Sequence, residues 1–244
     1  MKIDFKNKKV LVTGGTRGIG QKIAQEFENN GAIVIVTGTN DVAPAWIEKT
    51  ATIAYEKLQI GDNDWHKRVD EIIQKYEGFD ICINNAGINK VSNIDELQKD
   101  DLDSILLTNL NAPIYIASKV AKEMIKKRYG YIINIGSIFG SVSKKGRNPY
   151  TASKAGLIGA TKTMAIDLGE YGILVNSVSP GFVDTELTRK VLGEKGMKEM
   201  SERIPLKRLA KVDDIVPTIL FLCSEFNTYT TGQNITIDGG FTLE

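Results

Sequence analysis

The sequence predicts an α/β fold: a single-domain, doubly wound sheet of about seven parallel strands with helices on both faces. Three observations predict it. Short apolar runs alternate with helical patterns along the whole chain. The runs are β-branched and apolar at successive positions, as in strands covered on both sides rather than half-exposed. A glycine-rich turn directly follows the first run, and no Pro/Ser/Gly-rich linker divides what comes after, so 1–244 reads as one domain.

The first strand is 10–12, Val-Leu-Val, and the turn after it leads into a helix from Gly18 whose Ile23, Ala24 and Phe27 share a face. Further strands are expected at 33–36, 52–58, 81–84, 131–135, 174–178 and 234–237. The intervening helices are expected to begin near Ala43, Asp64, Leu102, Asn109, Tyr150, Thr185 and Asp213. The stretch 186–207 is charged, holds no clear strand and ends just past Pro205, the profile of a surface helix-turn-helix.

Composition narrows the function. A chain of 244 residues, 42% hydrophobic and 25% charged, buries a sizeable core and is ordinary for a soluble globule. A formal net charge of +1 argues against nucleic acid or an anionic membrane as the main partner. No apolar stretch approaches a bilayer span, and Met1-Lys2-Ile3-Asp4-Phe5-Lys6 is too polar for a signal peptide. Cys82 and Cys223 lie in separate apolar segments and read as core thiols of a reducing compartment, which places the protein in the cytoplasm. The lone histidine, His66, sits in a polar stretch and reads as a surface side chain. A single histidine removes histidine-based metal clusters and serine–histidine triads, so no metal site is expected.

Two motifs carry chemistry. In Thr13-Gly14-Gly15-Thr16-Arg17-Gly18-Ile19-Gly20, glycines let the backbone approach a ligand, and the following helix N-terminus offers free N–H groups to a pyrophosphate. The spacing, with three residues between Gly14 and Gly18, departs from the common Gly-x-Gly-x-x-Gly pattern. Downstream, Tyr150 and Lys154 stand about one helical turn apart, so phenol and ammonium share a face. A nearby cation favours phenolate, and such a tyrosine exchanges a proton with a carbonyl or alcohol oxygen. Ser137 can hydrogen-bond that same oxygen.

These elements, with Asn84-Asn85-Ala86-Gly87, Asn109 and Pro180-Gly181, occur in the order and at the spacings of a known family. The chain resembles the short-chain dehydrogenase/reductases, and among them the bacterial 3-oxoacyl-(acyl carrier protein) reductases. The resemblance runs from about Lys8 to Asp238-Gly239-Gly240. It implies a Rossmann-type fold and a nicotinamide cofactor held by Gly14, Thr16, Arg17, Gly18, Ile19 and Gly20. Asn85, Ala86 and Gly87 are then expected to line the cofactor cleft, with Gln59 and Ile60 beside the adenine. Pro180, Gly181, Val183 and Thr185 are expected to receive the carboxamide, and Tyr150 and Lys154 to reach the nicotinamide ribose. Asn84 is expected chiefly to tie the central strand to its neighbours, and 186–207 to act as a substrate lid.

An acidic residue at the end of the second strand selects NAD. Here Gly38 stands at that position, Thr39 adds a hydroxyl, and Arg17 can pair a 2′-phosphate, so NADP(H) is expected. Asp41 is near enough in sequence to keep NAD(H) open.

The resemblance implies hydride transfer with Tyr150 as proton donor and Ser137 orienting the oxygen. Lys154 is then expected to bias Tyr150, and Asn109 to hold a water linking Lys154 to solvent. The leading substrate is a 3-oxoacyl thioester, reduced with NADPH and with an acyl carrier protein as candidate partner, but the substrate stays open. Lys126-Lys127-Arg128 matches one basic position of the acyl-carrier-protein enzymes, but the second falls at Tyr171, beside Glu170. Lys144, Lys145 and Arg147 lie between Ser137 and Tyr150 and suit an anionic or sugar-like substrate, with Phe139 and Phe182 as an apolar wall. A non-catalytic dinucleotide-binding regulator is the third reading, opposed by the intact Asn109, Ser137, Tyr150 and Lys154. Small residues Ala152, Ala155, Gly156, Gly159 and Ala160 follow Tyr150 on its helix; by resemblance they contribute to a homotetramer.

Overall fold

Valine and isoleucine at consecutive positions form strands because their branched side chains pack on both sides of a pleated surface. The computed structural model describes residues 3–243; Met1 and Lys2 of the polar N-terminal stretch, and Glu244, lie outside them. The strands are β1 (Lys9–Val12), β2 (Ile33–Gly38), β3 (Ile53–Lys57), β4 (Ile81–Asn84), β5 (Gly130–Ile135), β6 (Ile173–Pro180) and β7 (Asn234–Ile237). They form one sheet in the order β3-β2-β1-β4-β5-β6-β7, and every pairing is parallel.

Helices α1 (Gly18–Asn29) and α7 (Val212–Leu222) cover one face of the sheet. Helices α2 (Trp65–Lys75), α4 (Ala112–Lys127) and α5 (Asn148–Gly169) cover the other. Alternation along the strands divides the core accordingly. Val10, Val12, Val34, Val36, Ile81 and Ile83 pack against α1 and α7, while Leu11, Ile35, Cys82 and Ile132 pack against α2, α4 and α5. Both cysteines are buried and free.

The chain runs outward from β1 to β3, then returns to place β4 on the other side of β1. Such a reversal opens a crevice at the carboxyl ends of the strands, where open α/β sheets bind ligands.

Some expected boundaries move. No helix starts at Ala43; Pro44 opens a run of turns instead. Helix α3 (Lys99–Leu106) begins ahead of Leu102 and passes into a π-helical turn, Leu107–Asn111, which runs into α4. Asn109 therefore sits inside a widened turn, a feature often found at functional sites. The segment after β6 forms α6 (Glu186–Arg203), broken at Gly193 (φ 64°). No described helix is long and apolar enough to cross a membrane.

Candidate active site

The turn after β1 is a cradle built from backbone. Gly14 and Gly18 have φ of +60° and +57°, which side-chain-bearing residues rarely adopt, and a Cβ on Gly14 would lie 2.8 Å from the Ala86 Cα. Asn85 Nδ2 donates to the carbonyls of Thr13 (3.0 Å) and Gly14 (2.8 Å). Thr13 Oγ1 accepts from the backbone N–H groups of Asn85 (3.0 Å) and Ala86 (3.1 Å). The N-terminus of α1 has neither a side-chain cap nor an acid in its first turn, so its N–H groups and positive end face the crevice uncompensated.

The cleft above this turn has a volume of about 530 Å³. Gly14, Thr16, Arg17, Gly18, Ile19, Gly20, Thr39, Gln59, Ile60, Asn85, Ala86, Gly87 and Thr185 all line it. Leu58, Asn40, Ile88, Ser104, Thr108 and Glu186 also line it and were not anticipated. Leu58 and Thr108 each adjoin an expected residue in sequence, whereas Ser104 is brought in only by the packing of α3.

Pro180, Gly181 and Val183 lie beside the cleft rather than in its lining. Gly181 N–H donates to Ile237 O (2.9 Å), fixing the loop to β7. The bridge to Ala210 uses Phe182 O (2.9 Å) and Asp184 N–H (2.8 Å). Among the described backbone bonds, none engages the N–H or C=O of Val183, which leaves both for a ligand.

At the tip of β2 there is no room for an acidic side chain. A Cβ on Gly38 would come within 2.4 Å of Thr16 Cγ2 and 3.0 Å of the Tyr55 ring. Asp41 is turned outward, its carboxylate 2.6 Å from Lys57 Nζ and absent from the lining of the cleft. Arg17 is exposed at the rim with no carboxylate partner among the described residues.

The proton-handling groups converge where α5 crosses β5. Asn84 Nδ2 donates to Asn134 Oδ1 (2.9 Å), and Asn134 Nδ2 to Thr161 Oγ1 (2.9 Å), so one buried relay ties β4 and β5 to α5. Ser137 Oγ accepts from Phe139 N–H (3.2 Å), which leaves the hydroxyl proton free to donate. Tyr150 is partly buried, and that burial holds its phenol above its ordinary pKa, while Ser137 and the Arg147 charge pull it back. The buried Lys154 directs Nζ to Ile135 O (2.7 Å) and lies 5.8 Å from the Tyr150 ring centre. Burial lowers its pKa to about 8.

Arg147 is the cation that pulls on Tyr150 here, and Lys154 makes its short contact with a carbonyl. The Asn109 side chain makes three hydrogen bonds: Oδ1 accepts from Ile88 N–H (2.8 Å), and Nδ2 donates to Ile88 O (2.8 Å) and Ser153 Oγ (3.2 Å), which leaves one acceptor position on Oδ1. It braces the backbone just past Gly87, where a Cβ would lie 3.7 Å from Lys154 Nζ.

The basic loop before α5 divides. Lys144 and Lys145 are exposed, but Arg147 is 9% exposed. Its guanidinium lies 5.5 Å from the Phe139 ring centre, and that ring meets Tyr150 edge-on at 6.4 Å and Phe182 at 6.1 Å. Among the described residues no carboxylate lies within 4.0 Å of Arg147, and burial lowers its pKa. A cation–π contact contributes about 0.5–2 kcal/mol. Desolvating an ion costs several kcal/mol, so the ring alone does not offset the burial.

The distant basic run is already committed. Lys126 pairs with Glu123 (2.6 Å) and Lys127 with Asp80 (3.0 Å), while Arg128 donates to Glu170 O (2.5 Å) and lies over the Tyr171 ring. It sits where α4 leads into β5, at the opposite end of the sheet from the cleft.

Comparison with known proteins agrees with this geometry. A family model described as enoyl-(acyl carrier protein) reductase matches residues 14–242. The 3-oxoacyl-[acyl-carrier-protein] reductase of Aquifex aeolicus is 37% identical over 247 residues, covering 98% of this chain and 99% of its own. That of Thermotoga maritima is 37% identical over 245 residues, covering 98% and 99%. A gluconate 5-dehydrogenase from Burkholderia cenocepacia, solved in complex with NADP and tartrate, matches with a TM-score of 0.92 at 28% identity. That match covers 100% of this chain and 98% of the dehydrogenase.

Proposed function

The chain belongs to the short-chain dehydrogenase/reductase family of oxidoreductases, and on that premise we propose that it reduces a ketone to a secondary alcohol with NADPH. The observation that carries the proposal is the convergence of Ser137, Tyr150 and Lys154 below a glycine-lined cleft. The residues fit a nicotinamide dinucleotide: the backbone cradle at Gly14 and Gly18 takes the pyrophosphate, and the uncommitted backbone groups of Val183 take the carboxamide. Bound there, the reduced cofactor supplies the hydride.

The protein supplies the rest. Tyr150, kept protonated by its burial, donates its proton to the oxygen of the carbonyl being reduced. Ser137 donates a hydrogen bond to that oxygen and fixes its position. Lys154 holds the ribose and, as an ammonium, stabilises the phenolate left on Tyr150. Asn109 keeps the Gly87–Ile88 backbone in place above Lys154.

NADPH is favoured over NADH because Gly38 leaves no room for a carboxylate, Asp41 is held by Lys57, and Arg17 and Thr39 stand at the rim. The 3-oxoacyl thioester is the substrate type favoured by the curated relatives. A polar, anionic keto compound is the second reading, favoured by the unpaired Arg147 beside Tyr150 and by the likeness to the gluconate 5-dehydrogenase. We place α6 over the substrate as a lid hinged at Gly193, and the protein in the cytoplasm on the strength of its free thiols. The outer face of α5, with Ile166 79% exposed and open space at Gly159, suits self-association into a tetramer that sedimentation would detect.

The test of the function is oxidation of NADPH and of NADH at about 340 nm with an acetoacetyl thioester. Turnover with NADPH supports the reading. Turnover with NADH alone rejects the cofactor assignment, and no turnover of any ketone rejects the function.

A further inference from the structure

We infer that Arg147, with the N-terminus of α5, forms an anion subsite beside Tyr150 that selects ketones bearing a carboxylate. The inference rests on the ketone-reduction reading of the site, but not on the thioester. Three independent observations carry it.

First, Arg147 is nine-tenths buried and meets no carboxylate among the described residues; the Tyr150 phenol is the one ionisable group that bears on it. Its guanidinium nitrogens take no acceptor among the described residues and are not fully enclosed, so the covered stem holds a cationic head group that an anion can reach. Second, Arg147 is the N-cap of a 22-residue helix that has no side-chain cap and no acid in its first turn. A cation there opposes the helix dipole, and an anion seated between them relieves both. Third, the side chain is held in place. Gly146 (φ +78°) accepts from Ser92 N–H (3.2 Å), Arg147 O accepts from Thr151 N–H (2.7 Å), and the guanidinium rests on the Phe139 ring.

The geometry then defines the ligand. Phe139 is the common neighbour of Arg147 and Tyr150, three residues apart at the start of α5. The ligand this suits is a keto acid, with the carboxylate on Arg147, the carbonyl on Tyr150 and Ser137, and the carbon chain against Phe139. Lys144 and Lys145, exposed on the same loop, attract the anion from a distance without holding it.

The test is calorimetric titration of acetoacetate and of methyl acetoacetate into the protein saturated with NADP⁺ and, in a parallel series, with NAD⁺, states in which no ketone is reduced. Wild type should bind acetoacetate at least about tenfold more tightly than the ester, as expected of a charge-assisted hydrogen bond. Arg147→Gln should weaken acetoacetate by roughly 10- to 100-fold and erase the preference. Arg147→Met is the companion variant, since it removes the buried charge at similar volume and should fold if the amide does not. Equal affinities in wild type, or a preference that survives both variants, would overturn the subsite. So would a preference lost in Lys144→Gln/Lys145→Gln but kept in Arg147→Gln. Turnover is read separately. A protein that binds acetoacetate selectively yet reduces no ketone sinks the reductase reading and leaves the subsite standing. Equal kcat/KM and equal affinity for acid and ester do the reverse.

Discussion

The two ends of the cleft are built from different materials. The cofactor end is made of backbone: glycines at positive φ, an uncapped helix start, and an asparagine tying the turn to the next strand. The substrate end is made of side chains: a phenol, an ammonium and a guanidinium packed against aromatic rings. On the proposed function, backbone geometry recognises what all dinucleotides share, and side-chain charge would decide which carbonyl compound is accepted. The first end should therefore respond to shape changes and the second to charge changes.

The largest expected effect sits at the substrate end. Tyr150→Phe should lower kcat by about 10²–10⁴-fold while the cofactor still binds. Stopped-flow turnover beside cofactor fluorescence would check it, and near-native turnover would remove Tyr150 from the mechanism. At the cofactor end, Arg17→Ala should raise the KM for NADPH by roughly 10- to 100-fold with NADH little changed. Equal losses for both cofactors would place Arg17 on the shared pyrophosphate instead.

Lys154 gives a pH signature. Its folded pKa of about 8 lies below its ordinary 10.5, so the ammonium is lost as pH rises through about 8. Reductive kcat/KM should fall above that point, in a pH–rate profile with Lys154→Met as the flat control. Stability moves the other way. Between about 8 and 10.5 the unfolded chain binds more protons than the folded one, so chemical denaturation should show stability rising with pH across that window. The smallest effect is structural: Asn134→Ala removes one hydrogen bond each from Asn84 and Thr161, which keep Pro113 O and Leu157 O, and should cost about 1–3 kcal/mol in urea unfolding.

The cofactor end was readable in the sequence because glycine is the residue that backbone strain requires. The motif at Gly14 and Gly18 announces its conformation directly. The strands were readable for a similar reason: burial on both faces leaves uninterrupted runs such as Val10 to Val12. Expectations weakened where the third dimension decides. Nothing local distinguishes Arg147 from Lys144 and Lys145, yet one is buried against Phe139 and the others are solvated. The helix expected at Ala43 met Pro44 and a tight return to β3. The π-turn around Asn109 has no residue signature, because it arises from the fit of α3 and α4 against the loop after β4.

The tie between Asn85 and the glycine turn also bears on how the protein acquires its shape. The Asn85 side chain reaches Gly14 O across 71 residues of chain, and a parallel sheet in this strand order depends throughout on such distant pairings. Contacts of that kind form slowly and late. The pyrophosphate cradle is therefore expected to be complete only once β4 has paired with β1, and not when β1 and α1 alone are formed. A dinucleotide added during refolding should bind only finished molecules and draw the population toward them, so the cofactor serves the young chain as a selector of its native state.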